Sequence, residues 1–211
     1  VGLPDLAPTF LEATGLKPLP EMTARTLMPI LLSGKSGQVE PRRDHVLTGM
    51  ERHVPCRGPN KGGYSMRALR TREYHYIRNF APDRWPAGDP NGFEKPGAQP
   101  FTYDQLAKDT FAAFADTDSG PTKAYMVTHR DEPAVKPLFE LAFGKRPQRE
   151  LYDLKKDPYQ MKNLAGERKY TAVLKKLDSR LMAALKATGD PRAEGRGEEF
   201  DTYPYGAKAG Q

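Results

Sequence analysis

Apolar residues recur at helical spacing most clearly across residues 169–188. There Tyr170, Val173, Leu174, Leu177, Leu181 and Leu185 share one face, and Lys175, Lys176, Asp178 and Arg180 share the other. The pattern predicts a long amphipathic helix, stopped by Gly189, Asp190 and Pro191. Burying each large apolar side chain stabilises by about 1.5 to 3 kcal/mol, so such a stripe needs a surface to cover. Four short β-prone runs supply one: 45–50, 64–70, 74–80, and a run containing Leu151, Tyr152 and Leu154. The second and third are separated only by Thr71, Arg72 and Glu73, which predicts a hairpin. Lys155, Lys156, Asp157 and Pro158 end the fourth, because proline removes a backbone donor and fixes φ.

Towards the amino terminus, Leu6, Phe10, Leu11 and Ala13 predict a helix over 6–14, with Asp5 as its cap and Gly15 as its stop. A weak helical pattern covers 103–115 and a firmer one 133–143, and residues 122–129 between them are ambiguous. Residues 33–43 are rich in Gly, Ser and charge and mark a boundary. An irregular stretch follows 50 and runs to Gly63 through Pro55, Gly58, Pro59 and Gly62. From 81 to 100 Pro and Gly are dense around Trp85, the single tryptophan; a loop of that length is either functional or disordered. After 190, Phe200, Tyr203 and Tyr205 are placed to pin a tail to the body. Together these elements read as α+β, a small antiparallel sheet of about four strands packed on the long carboxy-terminal helix.

A chain of 211 residues is long enough to bury a core, although 20 prolines and a mean hydropathy of −0.73 make it polar and loop-rich. No apolar run approaches the roughly 20 residues of a membrane-spanning helix, so no membrane partner is expected. The net charge of +6 would attract polyanions, but Lys and Arg are interleaved with 27 acids along the chain. Cys56 stands alone and excludes an internal disulfide.

The stretch 150–165, ELYDLKKDPYQMKNLA, carries a resemblance to the carboxy-terminal signature of the sulfatase family. That signature commonly reads Glu-Leu-Tyr-Asp-Leu, two variable residues, Asp-Pro, then Asn-Leu-Ala. Glu150 through Leu154, Asp157, Pro158, Asn163, Leu164 and Ala165 match it. Residues 5–9 and 27–32 are similar to the helix and apolar segment that end the family's α/β catalytic domain, with Ala24 where the family often has Gly. Residues 48–53, 64–70 and 74–88 resemble the heparan N-sulfatase (sulfamidase) branch, with Ser65 in place of its Pro.

The resemblance implies three segments: 1–40 as the tail of a catalytic domain, 41–190 as a carboxy-terminal α+β subdomain, and 191–211 as an extended tail. The opening VGLPDL, with neither an initiator Met nor signal-peptide features, is then expected to lie mid-protein. The whole protein would be periplasmic or secreted and would hydrolyse sulfamate or sulfate ester groups on glycosaminoglycan-type sugars, N-sulfoglucosamine being preferred. It would use calcium and a formylglycine made from a Cys or Ser.

Neither group is expected within these residues. Cys56 is followed by Arg57-Gly58-Pro59, which is not the modification motif, and Asp116 and Asp118 read as a helix-end loop. His45, His75 and His129 lack metal-ligand spacing. Lys145 and Arg146 read as a solvated helix exit.

What remains is recognition. Glu51, Arg52 and His53 end a strand ahead of a Gly/Pro loop, where polar groups commonly face a cleft. His53 suits a sugar hydroxyl or sulfate, Arg52 a sulfate or carboxylate, and Glu51 a hydroxyl, with Arg67 as support or an added contact. The expected partners are a sulfated sugar and the rest of the catalytic domain, not nucleic acid, and the 211 residues alone are expected to be inactive. The rival readings are a stand-alone polyanion-binding module, a sulfatase acting on O-sulfated sugars, and a purely structural subdomain.

Overall fold

The computed structural model describes residues 1–54, 56, 57 and 62–203. Pro55, Gly58, Pro59 and Tyr205 therefore lie outside the described residues. A single four-stranded antiparallel sheet has the order β1 (His45–Met50), β2 (Met66–Thr71), β3 (Tyr74–Asn79) and β4 (Arg149–Asp153). The class is α+β, as the spacing predicted. Thr71 makes the β2–β3 turn: its Oγ1 accepts from the Tyr74 amide at 2.9 Å and donates to the Tyr74 carbonyl at 3.1 Å.

The helices are α1 (Leu6–Ala13), α2 (Met28–Leu31), α3 (Tyr103–Lys108), α4 (Pro121–Thr128), α5 (Lys136–Phe143), α6 (Thr171–Ala187) and α7 (Glu199–Thr202). Two compact units are assembled from these elements. One comprises 1–48, 68–76 and 151–188, and the other 49–67, 77–150 and 189–211.

In the first unit, α6 turns Leu174, Leu177, Leu181 and Leu185 inward. Ala68, Leu69, Tyr76 and Leu151 are buried on the strands. The Tyr76 hydroxyl donates to Asp178 of α6 at 2.7 Å, so the largest fully buried side chain among the described residues also satisfies its polar tip. Asp5 sits at the α1 N-cap position but forms no side-chain cap. Its carboxylate accepts from the amides of Gly2 and Arg25 at 2.9 and 3.3 Å and pairs with Arg43 at 2.9 Å, tying the chain's start to 25–43.

The 150–165 stretch is a fastened turn. Asp153 Oδ1 accepts from the amides of Lys155 and Lys156, each at 3.2 Å, and Asp157 Oδ2 from that of Lys162 at 2.8 Å. Asn163 Oδ1 accepts from the amides of Leu151 and Ala165 at 2.9 and 3.0 Å, and the Leu164 amide donates to the Leu151 carbonyl at 2.8 Å. The chain after β4 thus folds back along it and delivers α6.

The second unit has an aromatic core. Phe114 meets Trp85 and Phe139 edge-on, both at 5.8 Å between ring centroids, and Phe143 at 4.8 Å. The expected helix over 103–115 ends at Lys108, because Asp109 is extended and its carboxylate accepts from the Phe111 amide at 2.8 Å. Phe114 then takes a left-handed φ of 47°. Buried Lys123 collects the carbonyls of Thr110, Phe114 and Thr117 at 3.0, 3.2 and 2.7 Å, oxygens that a continued helix would have used itself. Burial pushes the Lys123 ammonium below its ordinary pKa.

The long Pro/Gly loop is ordered by the same device. Buried Arg130 donates to the carbonyls of Phe93, Lys95 and Ala98 at 3.0, 3.1 and 2.6 Å. Gly88 has φ +98°, and a side chain there would lie 2.9 Å from both the Ala115 nitrogen and the Cys56 Cβ, so only glycine fits.

Leu181 is fully buried. Leu181→Ala is expected to lower the unfolding free energy by about 2 to 5 kcal/mol in a denaturant titration, whereas Tyr76→Phe should cost only about 1 kcal/mol.

Candidate functional site

The four sequence-selected residues fall in the second unit, Glu51, Arg52 and His53 just beyond the end of β1 and Arg67 on β2. Gly49 lies beneath Arg67: a Cβ there would come within 2.8 Å of the arginine Cδ, so the bare backbone admits the side chain across β1. Arg67 is only 8% exposed. Its Nε and Nη2 reach Asp190 at 2.7 and 3.3 Å, and Nη2 reaches Glu51 at 2.8 Å. Burial alone would make the guanidinium easier to deprotonate, but the Asp190 and Glu51 carboxylates outweigh it and hold it above its ordinary pKa.

Glu51 is shared. Arg192 donates to its two oxygens at 3.1 and 2.8 Å and lies 3.7 Å from Asp201, which Arg84 holds at 2.9 and 3.3 Å. Three arginines and three carboxylates therefore neutralise one another. Phe200 lies under two of them, 5.7 Å from Arg67 and 5.5 Å from Arg192, each a cation–π contact. Arg52 donates to the Tyr203 carbonyl. The segment 190–203 is thus strapped down by Asp190, Arg192, Phe200, Asp201 and the Tyr203 backbone.

The four residues consequently sit in different surroundings. Arg67 is buried among its carboxylates. Glu51 has its carboxylate turned to two guanidiniums instead of a free cleft, because a buried arginine must be paired. Arg52 is engaged by the tail. His53 stands apart: its side chain is 72% exposed and Nδ1 contacts Asp116 Oδ1 at 2.9 Å. Asp116 is 13% exposed and anchored where its own amide donates to the Ala87 carbonyl at 2.9 Å. A carboxylate on Nδ1 favours a proton there and leaves Nε2 directed to solvent, able to accept from a hydroxyl when neutral or donate to an anion when charged.

Asp116, read from sequence as a helix-end loop, is the residue that sequence analysis missed. It lies 63 positions from His53, and no local spacing links them. Asp190 and Arg192 are likewise 123 and 141 positions from Arg67 and Glu51.

Other candidates have structural duties. Buried Cys56 has its thiol pushed up by burial, the reverse of a reactive thiolate. His45 contacts Asp44 at 2.8 Å, His75 contacts Gln160, and His129 contacts the Tyr125 carbonyl at 3.0 Å. Arg146 caps carbonyls of α5, and Lys145 lies 5.5 Å from the Trp85 ring. Among the described residues no three His, Cys, Asp or Glu side chains converge to hold a metal ion. Among the described residues, therefore, no set of side chains fits a calcium site, and the buried Cys56 thiol does not suit a nucleophile.

No protein-family model matches the chain. It is 28% identical over 190 residues to an ulvan-active sulfatase of Formosa agariphila, an alignment covering 90% of this chain and 30% of that protein. The chain therefore spans about a third of the length of this curated relative. Among solved structures, a 2-O GAG sulfatase gives a TM-score of 0.48 at 18% identity, over 90% of this chain and 26% of that one. A protein solved with its substrate D-glucosamine-2-N,6-O-disulfate gives 0.46 at 17% identity, over 95% and 25%.

Glu51→Ala leaves two part-buried guanidiniums short of a carboxylate and is expected to cost about 3 kcal/mol, read as a fall in Tm. A residue serving substrate alone would leave Tm unchanged.

The tail should also be acid-sensitive. Burial would raise the Asp201 carboxyl, but the bonds from Arg84 outweigh it and hold the pKa below the ordinary 3.8. Its stabilisation is then complete above the unfolded pKa and is lost as pH falls through the lower folded value. Hydrogen exchange, corrected for its intrinsic rate, should show protection of 199–202 falling as the pH drops below the ordinary carboxyl value, and Asp201→Asn should remove that step.

Proposed function

We propose that this chain is the carboxy-terminal part of a sulfatase whose substrate is a sulfated carbohydrate, and that it presents His53 to that substrate from a scaffold held by the Arg67 network. The observation that carries this reading is the 28% identity to an ulvan-active sulfatase along 190 residues, which runs well beyond the 150–165 signature. That signature forms a fastened turn, so its residues report the fold and not the chemistry. The activity belongs to the longer polypeptide. Its nucleophile, a formylglycine, and its calcium would be supplied by residues outside these 211, and export would follow from the same family.

Within this chain the chemistry is recognition. Asp116 orients the imidazole of His53, whose exposed Nε2 contacts a sulfate oxygen or a sugar hydroxyl. Glu51 and Arg67 act at one remove: they fix the strand end from which His53 projects and touch no substrate. The preferred substrate is a sulfamate on glucosamine, supported by the resemblance of 48–53, 64–70 and 74–88 to heparan N-sulfatases. A second reading, hydrolysis of O-sulfate esters on a polysaccharide, is favoured by the substrate in the curated relative's name.

Sulfate release from N-sulfated and from O-sulfated oligosaccharides, compared between the 211-residue chain and a longer polypeptide carrying it, tests the reading. Release by the longer form alone is expected. Release by the 211 residues would place the nucleophile within them and overturn it, as would release by neither form from either substrate.

A further inference from the structure

Three recesses lie on the first unit and share walls. The first, of about 530 Å³, is lined by Arg25, Arg42 and Arg43 with Glu40. The second, about 310 Å³, shares Arg43 and adds Asp44, Arg70 and Arg72. The third, about 420 Å³, shares Asp44, Thr71 and Arg72 and is closed by Glu73, Lys176 and Arg180. Seven Lys or Arg side chains and three acids line them, a surplus of four in a chain whose total net charge is +6. Most of the positive excess inferred from composition is therefore gathered on one face of one unit.

The acids in this lining are already spent. Glu40 accepts from Arg43 at 2.6 Å, and Asp44 from Arg180 at 2.6 Å. Glu73 pairs with Lys155 at 2.6 Å, from outside the lining. The hydrogen bond from Arg180, with one from His45, carries the Asp44 carboxyl down to about 2, so it stays ionised and paired at any physiological pH. Arg43, whose side chain is 8% exposed, also holds Asp5 and two carbonyls and acts as a structural wall. Arg42, Arg70, Arg72 and Lys176 are exposed, and no carboxylate among the described residues lies within salt-bridge distance of them. Arg70 near the end of β2, Arg72 just beyond it in the turn, and Lys176, one turn before Arg180 on α6, line a groove whose own anions are silenced.

We propose that this groove binds a segment of a sulfated polysaccharide, with Arg42, Arg70, Arg72 and Lys176 meeting successive sulfate groups. A guanidinium presents a planar fork to sulfate oxygens and is weakly hydrated, so it sheds water for such a contact at low cost. Nucleic acid fits less well. Tyr74, the sole Phe, Tyr or Trp of the lining, is partly exposed and packs against Tyr170 at 6.5 Å, so the groove offers no row of rings on which successive bases could stack. The choice of a sulfated carbohydrate rests on the sulfatase reading; the location of the charge does not. A groove lined over three joined recesses suits several residues of a polymer and not a lone monosaccharide.

The test is fluorescence-anisotropy binding of a labelled heparin decasaccharide to the full chain over a range of NaCl concentrations. Arg70→Gln/Arg72→Gln is compared with Lys108→Gln/Lys136→Gln, which removes the same charge from exposed sites elsewhere. The groove variant is expected to bind about tenfold or more weakly, with a slope of log Kd against log salt smaller by about 1 to 2, and with an unchanged Tm. Lys176→Gln alone should shift both in the same direction by less. Equal weakening by the two double variants would overturn the proposal, as would equally tight, equally Arg70-dependent binding of single-stranded DNA of matched charge. Binding as expected without sulfate release by the longer polypeptide would strike the sulfatase reading alone. Sulfate release with binding indifferent to the groove variant would strike the groove alone.

Discussion

A guanidinium removed from water must be met by carboxylates, and Arg67 is where this structure meets that demand. Gly49 clears the space for the side chain across β1, Asp190 and Glu51 bracket its charge, and Phe200 covers it. Because Glu51 is also claimed by Arg192, and Arg192 approaches Asp201, one buried cation determines where the segment 190–203 runs. Losing a single partner would leave charge uncompensated across the whole set, which is why such networks are costly to break even where they add little net stability. His53 projects two residues beyond Glu51, so its position follows from the same constraint.

A second constraint acts on the other unit. The side chains of Asp153, Asp157 and Asn163 accept backbone amides that a tight reversal would otherwise leave without partners. Such a turn tolerates few substitutions for geometric reasons. The recurrence of these residue types in 150–165 is thus accounted for by the geometry of the turn alone.

The long helix was legible because burial imposes a 3.6-residue period on α6, and the four strands because each is a short run of strand-forming residues bounded by turn signals. Helix α4 was ambiguous because Lys123 occupies its inward face beside Ala124 and Val127, and a cation there erases the amphipathic pattern. The helix expected over 103–115 was overextended for the linked reason that the same lysine takes the carbonyls needed to continue it. The loop 81–100 looked structureless because the residue that orders it, Arg130, is far away in sequence and bonds to carbonyls, which carry no sequence signature. In the candidate site His53, Glu51 and Arg67 were visible as residues, but their surroundings were not. Those are set by Asp116, Asp190 and Arg192, partners brought in from more than sixty positions away.

The most direct measurement is kcat/KM for sulfate release by the longer polypeptide with His53→Ala and Asp116→Asn, each alongside its Tm. An imidazole that contacts a sulfate oxygen contributes about 1.5 to 3 kcal/mol, so His53→Ala should lower kcat/KM by about 10- to 100-fold at unchanged Tm. Asp116→Asn should produce a smaller loss, since Asp116 acts only by orienting the ring. Full activity in His53→Ala would contradict a substrate-facing role and leave the chain a structural support only.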